Sequence, residues 1–115
     1  MAFLTDYHFH TEISPDSQAP WFDMVLAEYN AGVRQMCVTD HCDLVDWKTL
    51  TYSPRCLEIP GRELAMYEKY ASWLPADLQL RLGVELGEAH MHPEALPELA
   101  AAAEGLDFIL GSCHM

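Results

Sequence analysis

The stretch QMCVTDH, residues 35–41, is a short apolar run that ends in an acidic and an imidazole side chain. Its length and composition predict a β-strand over residues 35–39, with Asp40 and His41 directly after it. Three other stretches have the same design: FLTDYHFH at 3–10, LQLRLGVEL at 78–86 and LDFILGSCH at 106–114. Each combines an apolar strand with a histidine or a glutamate at or just beyond its end.

Amphipathic patterns of helical period separate these strands. Strands are predicted over residues 3–8, 35–39, 78–86 and 106–110, and helices over residues 20–31, 63–73 and 93–104. This alternation predicts βαβ units, and therefore an α/β fold with a parallel sheet. Four strands and three helices make an open sheet or half of a barrel. Residues 42–60, which contain Pro54 and Pro60, are predicted to be a long loop.

The charge balance disfavours several classes of partner. Among 115 residues there are 18 Asp and Glu but 6 Lys and Arg, which gives a formal net charge of -12. Such a chain is poorly suited to nucleic-acid phosphates and to anionic membranes. Several of the acidic residues lie on the faces of predicted helices and are interpreted as solvated surface. The length suits one domain, and no apolar run approaches the ~20 residues that a membrane span needs.

The cysteines indicate a reducing compartment. The chain has four of them, at positions 37, 42, 56 and 113, and no pair has the C-x-x-C spacing of a zinc ribbon or a redox motif. The first residues do not resemble a secretory signal. We therefore expect a cytoplasmic protein with reduced thiols. Cys42 and Cys113 adjoin candidate ligands and are interpreted as small buried hydrophobic residues.

Six side chains near the strand ends are candidate metal ligands. They are His8, His10, Asp16, His41, Glu85 and His114. Because functional groups collect at the C-terminal ends of parallel strands, we expect these side chains to converge. Imidazole nitrogens and carboxylate oxygens suit zinc, iron or manganese. A carboxylate such as Glu85 can bridge two ions, and paired ions can activate water and hold a phosphoryl group.

Other interpretations of single residues stay open. Asp16 follows Pro15 and also fits a turn, and His114 also fits an unstructured chain end. A second His-x-His, formed by His90 and His92, is interpreted as part of a surface loop, with an adventitious metal as the alternative.

In order and spacing, these motifs resemble those of the polymerase-and-histidinol-phosphatase (PHP) family along the whole chain. The matching stretches are DYHFHT at 6–11 with Asp16 after it, TDH at 39–41, LGVELGE at 82–88 and FILGSCH at 108–114. The Gly-x-Glu-x-Gly and Gly-Ser-x-His pieces most resemble the histidinol-phosphatase branch.

The resemblance implies a distorted (βα)7 barrel with a two- or three-metal centre of zinc, iron or manganese. By motif, His8 and His10 would hold one ion and Glu85 would bridge it to another. Asp16 and His41 would serve a neighbouring ion, and His114 a third. The implied reaction is attack by metal-bound hydroxide on a small phosphate monoester, with L-histidinol phosphate as the leading substrate, in histidine biosynthesis. The resemblance assigns no substrate-binding residue.

Family members have a further histidine and a late Asp-x-His motif among their ligands. Both belong to the second half of the barrel, and a complete barrel of this kind has roughly 250 residues, about twice the number here. We therefore expect a partial PHP domain, the N-terminal half of the barrel, with little or no turnover of its own.

Two alternatives accompany the phosphoesterase hypothesis. The first alternative is a non-catalytic metal-binding fragment that forms a homodimer through its open sheet edge. The second alternative is a PHP nuclease or nucleotide phosphatase. The acidic charge makes a polynucleotide substrate less favourable. Amidohydrolases also begin with His-x-His, but Asp16 and the Gly-Ser-x-His ending fit them less well.

Overall fold

The computed structural model of the protein describes residues 4–114. Its strands are β1 (Leu4–Phe9), β2 (Val33–Asp43), β3 (Gln79–Gly87) and β4 (Phe108–Ser112), and its α-helices are α1 (Trp21–Asn30), α2 (Ile59–Tyr70) and α3 (Leu96–Ala102). The strands form one parallel sheet in the order β1-β2-β3-β4. The predicted α/β fold, with four parallel strands and three helices, is therefore confirmed.

The first half of the chain differs from the prediction mainly around the long loop. Phe3, the predicted start of the first strand, lies outside the described residues. Strand β2 continues to Asp43, because its parallel pairing with β3 continues that far. At the other end of the loop, Pro54–Glu58 forms a 3-10 helix and α2 begins at Ile59. The prediction of a loop over residues 42–60 is therefore wrong at both ends.

The second half differs by a few residues at each boundary. Helix α2 ends at Tyr70 and a 3-10 turn follows it. Helix α3 begins at Leu96, with Pro97 in its first turn, where a missing N–H does no harm. Strand β4 starts at Phe108, two residues later than predicted, because the N–H of Leu106 is engaged in a turn. This shift brings the end of β4 within two residues of His114.

The core lies between the sheet and the helices. Met36 and Val38 of β2 pack with Trp21 and Val25 of α1 in one buried cluster. A second cluster is formed by Cys42 of β2, Leu44 just after β2, Cys56, Val84 of β3 and Leu99 of α3. Because side chains alternate along a strand, the residue that follows Val84 points to the face without helices. That residue is Glu85, so the strand period directs this carboxylate into the candidate site.

None of the helices in residues 4–114 combines the length and the apolar content that crossing a bilayer requires.

Candidate metal centre

The C-terminal ends of the four strands bring the candidate ligands to one edge of the sheet. His41 of β2 is paired directly with Glu85 of β3. His8 lies near the end of β1, His10 follows that strand, and His114 lies two residues beyond β4. The parallel topology alone therefore converts residues far apart in sequence into neighbours.

Glu85 is the centre of this arrangement. Its Oε1 atom lies 3.2 Å from Nε2 of His8 and 3.1 Å from Nε2 of His10. Its Oε2 atom lies 3.4 Å from Nδ1 of His41 and 3.4 Å from Nε2 of His114. Each oxygen thus contacts two imidazoles, and the Glu85 side chain is only 6% exposed.

Asp16 joins the cluster from the turn that follows β1. Its two carboxylate oxygens lie 3.6 Å from Nδ1 of His10 and 3.0 Å from Nε2 of His41. With a side chain that is 56% exposed, Asp16 is the most open of the six candidates. The structure therefore brings all six predicted residues together, and Asp16 lies on the solvent side.

The environment of Glu85 favours its ionised form. Burial raises the pKa of this carboxyl, but hydrogen bonds from Ser112 and His10 and the charges of His41 and His10 outweigh that effect. The net result is a pKa below the ordinary glutamate value. An ionised, nearly buried carboxylate among four imidazoles is the form that a cation needs.

The donor set fits divalent metal ions. Three overlapping triads, each with its ligand atoms within 4.8 Å of one another, are His8-His10-Glu85, His10-Asp16-His41 and His41-Glu85-His114. Nδ1 of His41 and Oδ1 of the neighbouring Asp43 are buried without hydrogen-bond partners in residues 4–114. Buried polar atoms without partners are rare and need a reason. Imidazole and carboxylate donors at this spacing suit zinc.

A second layer of polar residues fixes the backbone around the site, and no sequence pattern predicted it. The carboxylate of Asp40, which is fully buried, accepts bonds from the N–H of Thr11 (2.5 Å), the hydroxyl of Thr11 (2.8 Å) and the hydroxyl of Ser14 (2.7 Å). Ser14 Oγ in turn accepts the N–H of His41 at 2.8 Å. This network ties the loop after β1 to the end of β2. The available signal was the strand alternation, which points Asp40 away from His41.

The glycines of the Gly-x-Glu-x-Gly motif make room on both sides of Glu85. A Cβ atom on Gly83 would lie 2.5 Å from the carbonyl oxygen of Phe108 in β4. A Cβ atom on Gly87 would collide with the carboxylate of Asp43 in β2. Because both glycines share a face with Glu85, they allow the neighbouring strands to approach beside the carboxylate.

A cavity of about 1010 Å³ opens beside the cluster, and His41 and Asp43 belong to its lining. Three of the chain's six basic residues also line it, namely Lys48, Arg55 and Arg62. Within the described part of the chain, none of these three side chains forms an ion pair. Acidic residues line the cavity too, so its charge is mixed.

Two expectations about individual residues have different outcomes. Cys42 is fully buried, as predicted, but Cys113 is exposed, so the interpretation of Cys113 as a small buried hydrophobic residue is wrong. His90 lies in the 3-10 turn Ala89–Met91, His92 lies between this turn and the next one at Pro93–Ala95, and neither joins the six-residue cluster. His92 instead pairs with Glu94, its Nδ1 lying 3.2 Å from Oε1.

Comparisons with known proteins identify the family and the fold. A family model described as the PHP domain matches residues 6–115. A probable histidinol-phosphatase of Deinococcus radiodurans is 26% identical over 116 residues, which cover 99% of this chain and 43% of that protein. The chain also superimposes on the crystal structure of a histidinol phosphate phosphatase from Lactococcus lactis, solved with zinc, L-histidinol and phosphate. The TM-score is 0.71 at 21% identity, over 96% of this chain and 40% of that one.

The present chain therefore spans less than half the length of these two relatives. The structural likeness identifies its four strands and three helices as a curled half-barrel of the same fold.

Proposed function

The chain belongs to the PHP domain family, and from this premise we propose that its strand-end cluster is the metal centre of a phosphoesterase. The proposed substrate is a small phosphate monoester, with L-histidinol phosphate as the leading candidate and histidine biosynthesis as the setting. The observation that carries the proposal is the convergence of four imidazoles on the two oxygens of Glu85. The names of the two relatives support the choice of substrate.

The residues of the centre divide into three sets of ligands. His8, His10 and Glu85 would hold one ion, and Glu85 would share its second oxygen with another. Asp16 with His41, and His114 with Glu85, would complete the neighbouring positions. We propose zinc, iron or manganese, because all three accept this mixture of nitrogen and oxygen donors.

Bound divalent ions supply two effects, stabilisation of charge on the phosphoryl group and a lower pKa for a coordinated water molecule. The protein side chains prepare the centre for both. The hydroxyl of Ser112 donates to Oε2 of Glu85 at 3.0 Å and so favours the ionised carboxylate. Thr39 Oγ1 lies 2.7 Å from Nδ1 of His8, which orients the ring with Nε2 towards Glu85. No serine or cysteine nucleophile is required.

The large cavity would receive the organic part of the substrate. Its three basic side chains would be local partners for a phosphate group, although four carboxylates line the same cavity. Trp47, also in the lining, donates from its indole N–H to Asp43 at 3.0 Å and so forms a fixed wall beside His41. This arrangement suits a phosphorylated small molecule better than a polynucleotide.

We further propose that residues 1–115 supply the N-terminal part of a PHP site. Family members use a further histidine and a late Asp-x-His motif from the second half of the barrel, and the four motifs matched in residues 1–115 do not include these ligands. The expected turnover of this polypeptide is consequently low, whereas its capacity to bind metal and phosphate is retained.

Calorimetry with inorganic phosphate tests the proposed function. We expect phosphate to bind the zinc-loaded protein but not the metal-free protein, because the phosphoryl oxygens need the ions as partners. Glu85→Gln should abolish this binding, and the exposed Glu104→Gln serves as the matched control that retains it. Phosphate release from L-histidinol phosphate, slow but metal-dependent, should exceed cleavage of a phosphate diester. Absence of phosphate binding by the zinc-loaded protein, or a preference for the diester, would contradict the proposal.

A second candidate function is self-association of a non-catalytic metal-binding protein. In residues 4–114 the sheet has two edges, and both carry exposed apolar side chains, Leu4 at 54% on β1 and Ile109 at 49% on β4. Exposed strand edges promote pairing between chains. Light scattering distinguishes the two candidates. Self-association would be favoured if the wild-type protein is a dimer, if Ile109→Lys converts it to monomers, and if neither the wild-type protein nor the variant binds phosphate.

A further inference from the structure

Glu88 is a buried carboxylate that the proposed centre does not use as a ligand. It follows β3 directly and adopts a left-handed backbone conformation, with φ of 63°. Its side chain is fully buried. Oε1 accepts the backbone N–H of His114 at 2.5 Å and lies 2.9 Å from Nδ1 of the same ring. Glu88 therefore holds His114, whose Nε2 atom faces Glu85.

The second oxygen of Glu88 is not satisfied in the same way. Oε2 is buried and has no hydrogen-bond partner within residues 4–114. It lies 3.8 Å from Nε2 of His90, in the turn after β3. A buried carboxylate oxygen without a partner is energetically costly. We therefore expect this oxygen to bind a cation.

A carboxylate oxygen, an imidazole nitrogen and a thiol sulfur lie close together here. Ligand atoms of Glu88, His90 and Cys113 all lie within 4.8 Å of one another. In a tetrahedral zinc site the ligand atoms are roughly 3.4–3.8 Å apart, as follows from zinc–nitrogen and zinc–sulfur bond lengths. The His90 side chain is 53% exposed, so a small rotation of its ring would close the remaining gap.

We propose that Glu88, His90 and Cys113 form a separate zinc site beside the phosphoesterase centre. The carboxylate oxygen, the imidazole nitrogen and the sulfur are three of the ligand types that zinc accepts, with a fourth position for water. Binding releases the thiol proton of Cys113 to solvent. Zinc on Oε2 would fix the Glu88 carboxylate, and through Oε1 it would also fix the His114 ring. The site would thus stabilise one ligand of the main centre.

Cobalt substitution tests this site separately from the main centre. The six ligands of the main centre contain no sulfur, so near-ultraviolet thiolate-to-cobalt charge-transfer absorption reports on the new site alone. We expect this absorption in the cobalt-loaded wild-type protein and its absence in Cys113→Ser. His90→Ala should weaken the cobalt affinity measured from this band by about tenfold or more. The visible absorption of cobalt in the main centre should persist in both variants.

His92→Ala is the matched control, because His92 pairs with Glu94 instead of Glu88. The control should keep the charge-transfer band and its affinity. The inference is overturned if the wild-type protein shows no such band, if the band survives in Cys113→Ser, or if His92→Ala weakens it as much as His90→Ala. Loss of phosphate binding with the band intact would instead count against the phosphoesterase proposal.

Discussion

Replacing Glu63 with glutamine should remove a large part of the pH dependence of folding stability. This side chain of α2 is fully buried, and its Oε1 atom accepts the indole N–H of Trp21 at 3.0 Å. Burial, followed by the nearby carboxylate of Asp40, raises the pKa of Glu63 from 4.5 to about 10. At neutral pH the carboxyl is therefore protonated in the folded protein and ionised in the unfolded chain.

The sign of the effect follows from linkage. A carboxyl whose pKa is raised by folding stabilises the folded state fully below pH 4.5, and this stabilisation is lost as the pH rises towards 10. Within that window, each pH unit lowers the free energy of unfolding by about 1.4 kcal/mol. Between pH 6 and pH 8 the loss from Glu63 alone should reach roughly 2.7 kcal/mol.

Urea unfolding followed by circular dichroism measures this loss. Glutamine keeps an oxygen acceptor for Trp21 and is uncharged, so it imitates the protonated acid. The advantage of Glu63→Gln over the wild-type protein should grow by roughly 2.7 kcal/mol between pH 6 and pH 8. Glu68→Gln, an exposed position on the same helix, should show no such growth. A constant difference between Glu63→Gln and wild type across this range would refute the reasoning.

Two further substitutions test the motif glycine and the cavity. Gly83→Ala should lower the free energy of unfolding by about 1–3 kcal/mol, because the added methyl group meets the backbone of β4. Gly111→Ala has open space around it and should change stability little, so equal melting temperatures for the two variants would contradict this explanation. Arg62→Ala should weaken phosphate binding by the zinc-loaded protein about two- to fivefold, as expected for one exposed charge. Lys69→Ala, which removes a charge stacked on Tyr70, is the control; equal dissociation constants would exclude a role for the cavity.

The sequence predicted the fold and the cluster because both depend on local patterns. Alternating strand and helix periods determine a parallel sheet, and a parallel sheet places the ends of all its strands at one edge. His41 and Glu85 become neighbours through this topology, and the ring contacts between histidines follow, such as the 4.3 Å between the centroids of His10 and His41. Assigning these side chains as metal ligands remains a prediction.

What the sequence did not predict depends on contacts between distant segments. The sequence carries no signal that singles out Glu63 from the other acidic helix residues, yet its packing against Trp21 makes it fully buried. The burial of Glu88 could not be predicted from the periodicity of the sequence. It depends on the contact between the segment after β4 and the end of β3, where Glu88 accepts the N–H of His114. The extension of β2 to Asp43 was missed because its last residues are polar, and pairing with β3 overrides their low strand propensity.

The most direct test of a polynuclear centre is the zinc content of the purified protein after saturation and removal of excess metal. His10 belongs to two of the three overlapping ligand triads, so His10→Ala should lose at least one zinc ion relative to wild type. His92→Ala, outside those triads, should lose none. The metal content is measured by mass spectrometry. The central claim is contradicted if the wild-type protein binds no zinc, iron or manganese, or if His10→Ala retains the full wild-type amount.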